Sequence, residues 1–149
     1  MRKAGFSKRM GATLIDIVPI CIGVGGVYYL LLGFDQTLAD YRIDISDSAA
    51  RARFLRERNQ IRDLSFLLWL LYSTLMDASL MQGTFGKAAL GLRIVDKHGT
   101  RLSIGRATAR NLAKILSYVP FGLGFLWVLV SKNKRTWHDS LSKTTVVRR

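Results

Sequence analysis

Cysteine is nearly absent from this chain. The one thiol, Cys21, stands inside an apolar run and there are only two histidines, which excludes a disulfide framework and any Cys/His zinc spacing. Acidic residues are also scarce, ten against 23 Lys and Arg, for a formal net charge of +13. No nucleophile elbow or metal-ligand cluster is present. Gly83-Thr84-Phe85-Gly86-Lys87 invites comparison with a phosphate loop, but its spacing fails and Ala88 stands where Ser or Thr is required. Neither an internal repeat nor a low-complexity linker appears. With no catalytic constellation, the chain is expected not to be an enzyme and to need no cofactor.

What the chain does have is apolar sequence in blocks. It is 49% hydrophobic, and the charges lie between the blocks, so the basic excess points to membrane topology and anionic lipid, not to nucleic acid. From Ala12 to Phe34 the only charged residue is Asp16. At 1.5 Å per residue this run makes a helix of about 34 Å, enough to cross a bilayer, and no good signal-peptide cleavage site accompanies it. Arg9, Ala12, Asp16, Pro19, Gly23, Gly26 and Gly33 share one helical stripe, the side expected to meet other helices.

Asp35 to Asp63 is polar, with six basic and six acidic residues, and Ser46 is the expected N-cap of a short helix leading into a second span, Leu64–Met81. Asp77 is the charge in that span, with Ser73 one turn before it. Antiparallel spans place Asp16 and Asp77 at the same depth, each about five residues from the inner boundary. They are therefore expected to face each other in a polar cluster with Arg9 or Arg110. Gly83 to Ser103 is a polar inner segment in which the glycines turn the chain and Leu90–Asp96 has weak strand character. His98 is expected in a turn, in water.

Ser103 to Tyr118 reads as a helix with Arg106, Arg110 and Lys114 along one side. The apolar segment at about 104–131 is broken at Pro120–Gly124, and is expected either to re-enter as a hairpin or to span a third time. The hairpin is favoured, because it leaves seventeen Lys and Arg inside (four at the N-terminus, seven in the middle, six in the tail) and six outside. Both termini are then cytoplasmic, and Thr144–Val147 is expected to pair with Leu90–Asp96 in a small sheet beneath the membrane. A structural hydrogen bond between His138 and Asp139 is expected in place of a catalytic dyad. The fold class is thus an all-α integral membrane protein, a single domain over residues 1–149 with a small cytoplasmic β pairing.

Several of these residues together resemble the RDD family of small multi-pass bacterial membrane proteins. The resemblance rests on Arg9, Ala12 and Ile15-Asp16, then Gly83-Thr84-Phe85-Gly86-Lys87 and Gly91-Leu92-Arg93-Ile94-Val95-Asp96, then Arg110 and His138-Asp139 with Thr145-Val146-Val147. It implies that the family's one Arg and two Asp are Arg9, Asp16 and Asp139. It also implies a location in the bacterial inner membrane, and some members are assigned cation/proton antiport.

Two functions follow as expectations. In the first, a homo-oligomeric transporter binds a monovalent cation or proton at a cluster of Arg9, Asp16, Asp77, Arg110 and Asp139, since two carboxylates in a low-dielectric site share a proton or hold a cation. Gly23, Gly26 and Gly33 would pack the oligomer. In the second, the acids merely pair with basic neighbours in a structural or adaptor protein. An anionic-lipid binder, with Thr84, Lys87, Arg93, Arg106 and Lys114 at the membrane surface, is a variant of the second.

Overall fold

A computed structural model of the chain describes residues 2–118, 127 and 136–149. The elements run α1 (Phe6–Leu31), α2 (Phe34–Ile43), α3 (Ser48–Ala78), α4 (Phe85–Ala89), β1 (Leu92–Asp96), α5 (Ile104–Tyr118), α6 (Trp137–Leu141) and β2 (Thr144–Arg148). They form two compact units, one of Met1–Asp16 with Leu70–Arg149 and one of Ile17–Trp69.

In the Ile17–Trp69 unit, α1 stops two residues before Gly33, whose φ of 78° is left-handed and cheap only for glycine. A second helix, α2, follows in the first half of the polar segment, where no element was assigned from the sequence. It lies along the start of α3, with the Tyr41 and Phe54 rings stacked 4.4 Å apart, Thr37 donating to Glu57 at 3.1 Å and Arg53 paired with Asp40 at 3.6 Å. Ser46 does not cap α3, because its hydroxyl turns back to Asp44. Asp47 accepts from the Ala49 amide at 2.8 Å instead, and α3 then runs unbroken for 31 residues. The expected separate helix and second span are one continuous helix.

The other unit is built on a two-stranded antiparallel sheet, with Leu92 opposite Arg148, Ile94 opposite Val146 and Asp96 opposite Thr144. The N-terminal segment adds to the free edge of β2, where the Ala4 amide donates to Val146 and the Arg148 amide to Arg2. Ala4, Ala12, Leu92, Ile94, Leu102, Ala107 and Val146 close a small apolar core. The expected strand pairing is present; β1 begins at Leu92, two residues later than expected, after Gly91 at φ 64°.

Among the described residues one helix, α1, is long and apolar enough to cross a membrane. The helices share an inverted polarity. α1 exposes Leu14, Ile15, Val18 and Ile22 and buries Asp16; α3 exposes Leu67, Leu71 and Leu75 and buries Ser65, Ser73 and Asp77; α5 exposes Ile104, Leu112 and Ile115 and buries Arg110, Asn111 and Lys114. In water such helices would turn the other way. Part of the expected stripe on α1 departs from this: Ala12 and Asp16 are buried, but Pro19 and Gly23 are exposed. The expected turn at Pro120–Gly124 lies outside the described residues.

Candidate functional site

The site lies in the unit that contains both strands, and Asp139 is its hub. Residues Thr136–Leu141 supply a capping box, in which Thr136 Oγ1 accepts from the Asp139 amide and Asp139 Oδ2 accepts from the Thr136 amide at 3.3 Å. This fixes a fully buried carboxylate at the start of α6. Arg9 of α1 donates to its Oδ2 and Arg110 of α5 to its Oδ1. Arg110 Nη1 also donates to Thr144 Oγ1 of β2 at 2.9 Å, and its Nε lies 3.5 Å from Asp77 Oδ2. One guanidinium thus ties α5 to the tail and to the end of α3.

Asp77 is equally buried. Lys87 Nζ donates to Oδ1 at 2.8 Å, and Asn111 Nδ2 approaches Oδ2 at 3.4 Å while donating to Ala107 O at 2.9 Å. Lys114, one turn beyond Arg110, is buried in the same unit. Burial opposes the charged form of Asp139, but the guanidiniums of Arg110 and Arg9 outweigh it and hold this carboxyl well below the usual carboxylate range. The neighbouring His138 moves the opposite way from a charged partner. Burial pushes its imidazole well below the ordinary value against the opposing pull of Asp139, Arg110, Lys114 and Arg9 add to the lowering, and the ring is neutral at pH 7. Its Nε2 meets Thr136 Oγ1 at 2.9 Å and stands 3.7 Å from Asp139, so the expected His138–Asp139 hydrogen bond is replaced by one to Thr136.

Asp16 has different neighbours. Its Oδ1 accepts from the Gly86 amide at 2.8 Å and from the Tyr72 hydroxyl at 3.3 Å, and that hydroxyl in turn accepts from the Phe85 amide at 2.8 Å. Gly86 is needed for this approach: a Cβ there would sit 2.1 Å from Ala12 O and 3.0 Å from Asp16 Cγ. Asp16 and Asp77, expected to face each other, bond to different partners. Asp77 and Asp139 share Arg110, and Arg9 bonds Asp139. Asp16 is held by neutral donors because α4 brings its first amides against α1. Tyr72, Gly86, Asn111 and Thr144 are members that sequence reasoning did not assign to the site; a glycine in a polar turn just after a buried acid was the available signal.

The residues expected at the membrane surface are divided. Thr84 is buried as the N-cap of α4, and Lys87 and Lys114 turn inward. Thr84 and Lys114 are therefore corrected from surface to interior: the first is drawn in by capping, the second shares α5's buried polar stripe. Arg93 is half-buried on β1. Arg106 is half-exposed and donates to Asp96 at 2.9 Å. The Thr100 amide, then that of His98, holds the Asp96 carboxyl down at about 2, closing the turn after β1. His98 itself is exposed.

No solved structure matches the chain. Among curated proteins it is 40% identical to the uncharacterized protein YxaI of Bacillus subtilis (strain 168) over 84 residues, 56% of this chain and 55% of that one. It thus spans about half the length of that relative. It is 29% identical to the uncharacterized protein YckC of the same strain over 150 aligned positions, 97% of this chain and 84% of that one. The RDD family model matches residues 3–143, a range that includes Arg9, Asp16, Asp77, Arg110 and Asp139, and the chain belongs to the RDD family.

Proposed function

We propose that this protein is a multi-pass integral protein of a bacterial cytoplasmic membrane whose buried charges are a structural clasp, in a scaffold or adaptor that works through binding. The observation that carries this reading is the saturation of the shared acids. Asp77 is held by Lys87 and Arg110, and Asp139 by Arg9 and Arg110, so a cation entering there would meet three fixed positive charges. The inverted polarity of α1, α3 and α5 supports several membrane segments, with residues 35–63 outside and both termini in the cytoplasm. A basic inner surface then faces anionic lipid. Gly23, Gly25 and Gly26 have open space around them, which supports close packing against a second copy.

Topology tests the frame. In a Cys21→Ser background, Ile45→Cys is expected to react with an impermeant thiol reagent in intact cells and Leu141→Cys to resist it; both positions are exposed. Labelling of Leu141→Cys would place the tail outside and restore a simple third span.

One observation favours transport as a second reading. Asp16 is buried, yet it accepts from neutral donors, the Gly86 amide and the Tyr72 hydroxyl. A carboxylate in such a place can take up and release a small cation. If it does, purified protein in liposomes carries a pH-driven cation flux that Asp16→Asn abolishes without loss of folded protein. The clasp reading expects no flux in either protein above that of empty liposomes.

A further inference from the structure

The hairpin made by α2 and the first half of α3 is divided by charge. Residues 35–47 hold four acids and one Arg, and residues 48–63 hold five Arg and two acids. Few of these charges are used within the hairpin. Among the described residues its ion pairs are Asp40–Arg53 at 3.6 Å and Arg62–Asp63 at 2.8 Å, both open to water. Arg51, Arg58 and Asp35 are exposed and enter neither pair. Spaced seven and four, Arg51, Arg58 and Arg62 form one basic stripe along α3.

Contacts between the two helices set their levels. Thr37 meets Glu57, Asp40 meets Arg53 and Tyr41 stacks on Phe54, so α2 and this part of α3 run antiparallel. Counted from these contacts, Asp35 stands level with the stretch from Arg58 to Arg62, and Asp44 is close to the level of Arg51. Acid and base therefore occur at the same two heights.

We propose that this hairpin is a docking surface for a second copy of the chain, with Arg58 of one copy against Asp35 of the partner subunit. The pairing rests on the reading that two copies pack in one membrane with residues 35–63 outside. Copies related by a two-fold axis along the membrane normal present each residue at the same height, so Arg58 and Asp35 meet level across the contact. A polyanion or a lipid phosphate would be drawn to the basic stripe and repelled by the acids beside it. A partner with both signs in the same vertical order escapes that conflict, and a second copy has that order by symmetry.

Energy transfer between two labelled populations of the full chain, reconstituted in neutral-lipid vesicles, measures the pairing. Transfer is expected in the parent and should fall as sodium chloride is raised from about 0.05 to 0.5 M, because exposed charges are screened. Arg58→Asp and Asp35→Arg each set like charges against each other, and each variant alone should associate about fivefold more weakly. Mixed together, the two variants should recover the transfer of the parent, because every contact again joins opposite charges. An effect confined to one chain could not be repaired in this way. Parent-level transfer in Arg58→Asp alone, or no recovery on mixing, would overturn the hairpin contact and leave the copies packed through α1. Absence of transfer in the parent at every salt concentration would overturn the second copy as well. A parent that pairs only when anionic lipid is added would give the stripe to phosphate headgroups, and the proposal would fall.

Discussion

Gly86→Ala is expected to remove most of the folded protein. The added carbon would stand 2.1 Å from a backbone oxygen of α1, a neighbour that has no rotamer to escape into. Relief requires α4 to move away from α1, which stretches the 2.8 Å hydrogen bond from the Gly86 amide to Asp16. Overpacking costs roughly 1–3 kcal/mol and a hydrogen bond to a carboxylate roughly 1.5–3. About 3–6 kcal/mol is a large share of the roughly 5–15 that holds a typical domain. Gly23→Ala is the control: nothing lies within 4 Å of the new carbon, and alanine favours helix. The unfolding midpoint in detergent and the yield of monodisperse protein are the readouts. A Gly86→Ala protein as stable as the parent would mean that α4 does not sit against α1 in this way.

Asp139→Asn is the second large loss. The change preserves shape but leaves Arg9 and Arg110 with no carboxylate between them, and breaking a buried pair costs roughly 3–5 kcal/mol. Arg9→Gln in the same chain should recover part of the loss, because Arg110 retains Asp77 and Thr144 while Arg9 has lost its carboxylate. The pH dependence separates Asp139 from its neighbour. The folded-state pKa of Asp139 is depressed, so its contribution is complete above the unfolded value near 4 and is lost only as pH falls through the much lower folded value. His138 is also depressed, so its neutral form favours the folded state above about 6.5. Its contribution declines as pH falls below that, because the unfolded chain takes up a proton that the folded one refuses. Between pH 6.5 and 5 the loss is up to about 2 kcal/mol. Denaturant midpoints of the parent should fall over that range, and those of His138→Gln should stay flat. A parent protein equally stable at pH 7 and pH 5 would count against a buried neutral imidazole.

Local features were legible and closures were not. The pairing of β1 with β2 could be read because both segments are short and rich in β-branched residues, Ile94 and Val95 in one and Thr144 to Val147 in the other. Asp16 and Asp77 could be singled out because a charge in an apolar run has few places to go. Which acid meets which base depends on the tail folding back through the capping box at Thr136, and on α4 approaching α1 through one missing side chain. Neither leaves a periodic trace. The second helix, α2, was missed because its composition matches that of a charged loop; its stability comes from the Tyr41–Phe54 stack and the Asp40–Arg53 pair. The polarity of α5 misled in a simpler way. Arg106 and Lys114, two turns apart, suggested a face turned to lipid phosphates, yet Lys114 is buried beside Arg110.

The charge ledger of the Ile17–Trp69 unit has a consequence for how the chain reaches its place. Its six arginines are matched by six acids, so the net +13 belongs wholly to the rest of the molecule. In the proposed orientation residues 35–63 are the stretch that must be moved outward across a membrane that is electrically negative on the inside. Each uncompensated positive charge carried that way costs roughly 2.3 kcal/mol per 100 mV, about 14 kcal/mol for six. With Asp35, Asp40, Asp44, Asp47, Glu57 and Asp63 travelling beside the arginines, the net electrical work of that crossing is close to nil. The acids of the α2–α3 hairpin therefore act as counter-ions in transit.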